Sequence, residues 1–136
     1  MTITDLLKAG LECYQRGNLE GAEQKFRQVI LGDNRNIHGL NLLGMICVNS
    51  GRHEEAVQLI TEALKISPTD AQAQGNLGLA YQRMGNLKLA EDCFRKSIEL
   101  GCKTRTIFNS LGNMLRESGR ASEAVQVYES ILKVDG

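Results

Sequence analysis

The sequence predicts an all-α protein, an α-solenoid of four tandem helix-turn-helix hairpins. The first observation behind this prediction is a glycine that recurs at a constant interval, at Gly17, Gly51, Gly85 and Gly119. We call this interval the hairpin period. The second observation is the composition: 42% of the residues are hydrophobic but only 4% are aromatic, and there is one proline, which suits helices packed through small and aliphatic side chains. A constant interval such as that from Gly17 to Gly51 indicates an array of helical repeats.

Three further positions recur in register with the periodic glycine. A second glycine precedes it by seven residues, an alanine follows it by five, and a bulky side chain follows it by nine. These sets are Gly10, Gly44, Gly78 and Gly112; Ala22, Ala56, Ala90 and Ala124; and Phe26, Ile60, Phe94 and Tyr128. The repetition extends over the whole chain, so each copy is predicted to be one structural unit.

Each copy is predicted to contain two helices joined at the recurring glycine. In the third copy, apolar residues recur at helical spacing on both sides of Gly85, which suits a position where a helix ends and the chain reverses. Of the residues after the four turn glycines, only Asn18 and Asn86 are good helix caps. A glycine within a helix, such as Gly44, costs about 1 kcal/mol relative to alanine, and we expect it to allow close approach of the second helix at Ala56.

The pattern therefore predicts eight helices. Their predicted bounds are Ile3–Arg16, Leu19–Leu31, Ile37–Ser50, His53–Ile66, Ala71–Met84, Leu87–Leu100, Thr106–Ser118 and Ala121–Val134. Since repeat hairpins contact mainly their neighbours, stability is expected to be a sum over adjacent pairs.

The third copy resembles a tetratricopeptide repeat. The resemblance rests on Asn76-Leu77-Gly78-Leu79-Ala80-Tyr81, Gly85-Asn86, Leu89-Ala90 and Phe94, with Pro68 at the position where the family commonly ends a second helix. The other copies depart from the pattern, with Asn34, Cys102 and Gly136 in place of the proline and Cys13 in place of Tyr81. The resemblance implies a right-handed superhelix in a single domain over residues 1–136, with repeats at about 3–36, 37–70, 71–104 and 105–136.

In the family, the first helix of each hairpin lines a concave groove, and this implies a peptide-binding surface. The polar residues predicted to line it are Lys8, His38, Asn41, Asn76, Arg83, Asn109, Asn113 and Arg116. An asparagine amide offers a donor and an acceptor, as an extended peptide main chain requires, and the basic residues could contact acidic groups. The alternative is that these are solvated polar residues on an exposed face.

Two specialised variants of the family fit the sequence poorly. One grips a C-terminal carboxylate with lysine and asparagine, but the matching positions here are Leu7, Leu11 and Leu42. Another, the repeat region of O-GlcNAc transferases, carries a ladder of asparagines. Asn76 matches that ladder, whereas Leu42 and Ser110 do not.

The last predicted helix carries an uncovered apolar face formed by Val125, Tyr128 and Leu132. An exposed apolar face of this kind indicates a partner surface. Three interpretations of this face remain open. The natural chain continues past Gly136 and covers it, two copies of the chain meet there as a homo-oligomer, or the face stays exposed to solvent.

The charge balance and the cysteine pattern argue against several classes of function. Sixteen basic residues balance sixteen acidic ones, which argues against nucleic-acid binding and against a basic membrane anchor. We expect a cytoplasmic protein because a signal peptide and an apolar run long enough to span a bilayer are absent from the sequence. The four cysteines form no CxxC pair and His38 and His53 do not complete a zinc pattern, so reduced thiols, no metal and no cofactor are expected.

The leading functional prediction is a protein–protein interaction scaffold, not an enzyme, because the sequence contains no nucleophile–base, phosphate-loop or dinucleotide motif. Its partner would be an extended peptide or a helix of another protein. Two alternatives remain open: the substrate-recruiting N-terminal module of a larger glycosyltransferase- or sulfotransferase-like enzyme, and a self-assembling structural scaffold.

Overall fold

A computed structural model describes the backbone of residues 1–135 and the side chains of residues 1–133. Eight α-helices and no strand occur within that range. They are α1 (Ile3–Gln15), α2 (Leu19–Gly32), α3 (Ile37–Asn49), α4 (His53–Ile66), α5 (Ala71–Arg83), α6 (Leu87–Glu99), α7 (Arg105–Glu117) and α8 (Ala121–Asp135). Every end lies within one residue of its prediction, and the all-α hairpin fold is confirmed. Gly136, one of the positions where the sequence lacks the proline of the family pattern, lies outside the described residues.

The chain divides into two compact units, Met1–Pro68 and Thr69–Gly136. Each unit contains two helical hairpins, α1–α4 in the first and α5–α8 in the second. The organisation of the whole chain as a single domain stays a prediction.

The hairpins reverse at glycines whose backbone requires a left-handed conformation. Gly85 has φ +82° and a Cβ there would meet nothing within 4 Å, so the glycine is needed for its backbone and not for space. Asn86 then caps α6 by accepting a hydrogen bond from the Leu89 N–H at 3.4 Å, and Asn18 caps α2 in the same way at 2.9 Å. Arg52, in contrast, makes no side-chain cap.

The glycine inside each first helix makes room for the second helix. A Cβ on Gly78 would lie 2.6 Å from the Phe94 ring, and one on Gly44 would lie 2.7 Å from Ile60. The expected close approach at Gly44 is therefore observed, but its partner is mainly Ile60. Ala56 contributes only a backbone oxygen at 3.7 Å, because the longer side chain one turn later reaches across the gap first.

Each unit buries its own apolar core between its hairpins. In the first unit the core includes Ala22, Phe26, Leu43 and Ile46. In the second unit the core members are Ala90, Phe94, Ile107, Leu111, Met114, Leu115 and Ala124. A buried hydrogen bond supplements the second core: the Ser97 hydroxyl donates to the Ala71 carbonyl oxygen at 2.7 Å.

A four-residue ion-pair network joins the second helices of each unit. In the first unit it links Glu23 and Arg27 of α2 to Glu55 of α4 and to Arg52, the N-cap residue of α4. The second unit repeats it with the same residue types, and its members are Glu91, Arg95, Arg120 and Glu123. The second network lies two hairpin periods after the first, because Glu91 follows Glu23 by the same interval by which Gly85 follows Gly17. In the positions of these charged residues, alternate hairpins therefore resemble each other more than adjacent hairpins do.

Candidate functional site

The first helices of the first unit expose mainly polar side chains, with Leu11 as an apolar exception. Lys8 on α1 and His38 on α3 are exposed, as predicted, and Leu11 is 39% exposed on α1. Asn41 is only 3% exposed, which corrects the expectation of an open groove position. Residues 39–41 and 43–44 are all buried, so α3 is covered over more of its circumference than an amphipathic helix at a groove would be.

The first helices of the second unit expose four of their five predicted groove residues. Arg83, Asn109, Asn113 and Arg116 are exposed, as predicted. Asn76 is only 7% exposed, so its predicted exposure is wrong, and its Nδ2 has no hydrogen-bond partner within the part of the chain that the structure describes. The reason matches that for Asn41: residues 75–78 of α5 are all buried in succession.

Asn109, Asn113 and Arg116 lie at spacings of four and three residues on α7, which places them on one face of that helix. We call these three residues the α7 strip. The Asn113 amide oxygen accepts a hydrogen bond from the Tyr128 hydroxyl. Among residues 1–133, neither Arg116 nor Arg83 forms an ion pair, so both guanidinium groups are available to a ligand.

The predicted apolar face of α8 is smaller than expected. Val125 is 53% exposed and Leu132 is 71% exposed. Tyr128 is half-buried, because its ring lies against Gly112 of α7 and its hydroxyl bonds Asn113. The exposed part of this face therefore comes from Val125 and Leu132.

The cysteines and histidines do not form a reactive centre in the described part of the chain. All four cysteines are free thiols, and burial raises the pKa of Cys47 and of Cys93 to about 11, so neither is a ready nucleophile at neutral pH. The described residues contain no cluster of side chains suited to a metal ion. His53 is half-buried, and its Nδ1 is buried without a hydrogen-bond partner among the described residues.

None of the described helices combines the length and the apolar character that crossing a bilayer requires.

The eight helices and their glycine turns define a helical-repeat protein. A tetratricopeptide repeat family model matches residues 36–103 and 69–135. The chain belongs to the tetratricopeptide repeat family.

Relatives of known sequence share this repeat. Tetratricopeptide repeat protein 7B of Homo sapiens is 28% identical over 96 residues, covering 71% of this chain and 11% of its own length. A protein of Hordeum vulgare described as a probable UDP-N-acetylglucosamine–peptide N-acetylglucosaminyltransferase, SPINDLY, is 32% identical over 139 residues, covering 97% of this chain and 15% of its own length. The chain thus spans only a small part of these curated relatives.

Solved structures share the fold. The crystal structure of MamA matches with a TM-score of 0.82 at 22% identity, covering 98% of this chain and 78% of that one. The O-GlcNAc transferase of Thermobaculum terrenum, solved as the K341M mutant, matches with a TM-score of 0.80 at 23% identity, covering 83% of this chain and 22% of that one.

Proposed function

We propose that the chain binds an extended peptide segment of a partner protein on the exposed faces of its first helices, principally on the α7 strip. The observation that carries this proposal is the alignment of Asn109, Asn113 and Arg116 on one exposed face of α7. Asparagine lowers helix stability relative to alanine, so two exposed asparagines in one helix are better explained by ligand contact than by folding.

The chemistry of the strip suits a peptide main chain. Each asparagine side chain can pair with backbone N–H and C=O groups, and the Arg116 guanidinium adds donors for a carboxylate. Arg83, on α5 of the same unit, supplies a second exposed guanidinium. Asn41 and Asn76 cannot contribute in the same way, since both are buried.

The test is peptide selection with the purified chain. Immobilised protein is used to select from a random-peptide phage library, and the selected peptides are then titrated against an Asn109→Ala/Asn113→Ala/Arg116→Ala variant. A matched control, Lys88→Ala/Asp92→Ala/Lys96→Ala, changes three exposed residues on α6. Loss of binding in the first variant alone would support the proposal. Equal binding by both variants would place the site elsewhere and refute it.

A second candidate is a recruiting module within a larger enzyme. The 32% identity to SPINDLY over 97% of this chain favours it, because the name of that relative describes a glycosyltransferase. The repeats would then hold the substrate protein while another domain performs the chemistry. An immunoblot of the source cells distinguishes the two: a band near 15.0 kDa refutes the module, whereas a band several times larger supports it.

Self-assembly remains a third candidate that the exposed side chains of Val125 and Leu132 favour. Light scattering of the native chain and of a Val125→Lys/Leu132→Lys variant tests it. A mass that rises with concentration only in the native chain would support assembly through α8. Cytoplasmic location also stays a prediction, and the four free thiols are consistent with a reducing compartment.

A further inference from the structure

The hydroxyl of Tyr128 crosses from α8 to the exposed face of α7. The Tyr128 ring lies so close to Gly112 that a Cβ there would approach it to 2.7 Å, which means that only glycine leaves the ring its place. Beyond Gly112, the hydroxyl donates a hydrogen bond to the Oδ1 of Asn113. A residue of the second helix thereby holds a side chain of the α7 strip.

This polar pair occurs only in the fourth hairpin. The residues equivalent to Tyr128 in the other three are Phe26, Ile60 and Phe94, and none of them carries a hydroxyl. The residues equivalent to Asn113 are Leu11, Met45 and Leu79, and none of them carries an amide. Since three hairpins fold without either group, packing alone does not require the pair.

The hydrogen bond sets which half of the Asn113 amide a ligand meets. The oxygen and nitrogen of an amide are opposite arms of one planar group, and the phenol engages the oxygen. The Nδ2 group, which only donates hydrogen bonds, is then the part of the amide that remains accessible to a ligand. Arg116, three residues further on the same exposed face, also offers only donors.

We propose that Tyr128 is a positioning residue that makes the α7 strip select a carboxylate, so that the preferred peptide segment is rich in Asp or Glu. This inference rests on the proposed function of the strip. Glu117 is exposed one turn beyond Asn113, but among residues 1–133 it forms no ion pair with Arg116, so the Arg116 charge remains available to the ligand.

The experiment measures charge selectivity. The most frequent peptide from the phage selection is synthesised together with a counterpart in which every Asp and Glu is replaced by Asn and Gln. Both peptides are titrated against the native chain and against Tyr128→Phe, which keeps the ring and removes the hydroxyl. Because a hydrogen bond contributes modestly to binding, the ratio of the two affinities is expected to fall about three- to tenfold in the variant. Tyr81→Phe, which removes a phenol hydroxyl from the same unit, is the matched control and should leave the ratio unchanged.

A structural effect of Tyr128→Phe would lower both affinities together and leave their ratio intact, which would overturn the inference. The amide ¹⁵N–¹H signals of the Asn113 side chain give a second readout, since they should shift in Tyr128→Phe and not in Tyr81→Phe. If the native chain selects peptides without enrichment of Asp and Glu, this inference fails while the peptide-scaffold proposal stands. If it selects no peptide, the proposed function fails and this inference with it.

Discussion

Arg52, the N-cap residue of α4, donates two hydrogen bonds to the Glu23 carboxylate of α2, with Nη2–Oε1 at 2.6 Å and Nη1–Oε2 at 2.8 Å. Arg27 shares the same carboxylate and also bonds Glu55, so four charges lie in one network. Paired, two-point contacts of this kind are the stronger form of an arginine–carboxylate interaction. The network therefore couples the two hairpins of the first unit.

A double-mutant cycle tests the strength of this coupling. Glu23→Gln, Arg52→Gln and the double variant should give an interaction energy of about 0.5–1 kcal/mol, because both side chains are partly exposed and solvent screens them. The measurement is urea unfolding at low and at high salt, and the energy should shrink with salt. The exposed pair Lys65–Glu62 is the control and should couple more weakly. An interaction energy of zero between Glu23 and Arg52 would show that the network has no structural role.

Stability should fall in acid through Glu23. The hydrogen bonds from Arg52, and secondarily those from Arg27, lower the pKa of Glu23 from 4.5 to about 2. Since the pKa is lower in the folded state, the stabilisation is present above pH 4.5 and is lost as the pH falls towards 2. The native chain should therefore lose more stability than Glu23→Gln over that range. Glu62→Gln should follow the native chain, and identical curves for native and Glu23→Gln would contradict the prediction.

Close packing at the helix-interior glycine should make Gly78→Ala destabilising. The new methyl group would lie 2.6 Å from the Phe94 ring, and overpacking of about 1–3 kcal/mol should exceed the gain of about 1 kcal/mol in helix propensity. Thermal unfolding of Gly78→Ala in the native and Phe94→Leu backgrounds measures this. The penalty should shrink when leucine replaces the ring, and an equal penalty in both backgrounds would rule out the contact as its cause.

Gly85→Ala should destabilise the third hairpin for a different reason. Nothing lies within 4 Å of the added methyl group, but the backbone φ of +82° is unfavourable for an L-residue by about 1–2 kcal/mol. Gly85→Asn should cost less, because asparagine tolerates this conformation. Equilibrium unfolding of the two variants checks the order, and a smaller loss in Gly85→Ala would refute the backbone explanation.

The helices were predictable because each is defined by local periodicity and by a glycine at every hairpin turn. Burial around a helix was less predictable, since it depends on which neighbours cover each side. Asn76 and Asn41 have the residue type and offset of groove positions, yet both are buried.

The ion-pair networks carried a signal that comparison of adjacent hairpins hides. One hairpin period after Glu23 the sequence has Val57, which carries no charge, so the acidic position does not recur in the next copy. Comparison at twice that period recovers the pattern, because Glu23 and Arg52 recur as Glu91 and Arg120. The bond between Tyr128 and Asn113 had no such signal, since it depends on how far a ring extends past Gly112.

The recurrence of the ion-pair residues in every second hairpin restricts how this array can change length. Removing residues 37–70 would place Asn86 and Leu89 where Arg52 and Glu55 now stand, leaving Glu23 and Arg27 without their second-hairpin partners. Removing residues 37–104 would instead bring Arg120 and Glu123 to those positions and restore matching charges. Shortening or extension by two hairpins keeps the charge pattern intact, whereas a change by one hairpin interrupts it.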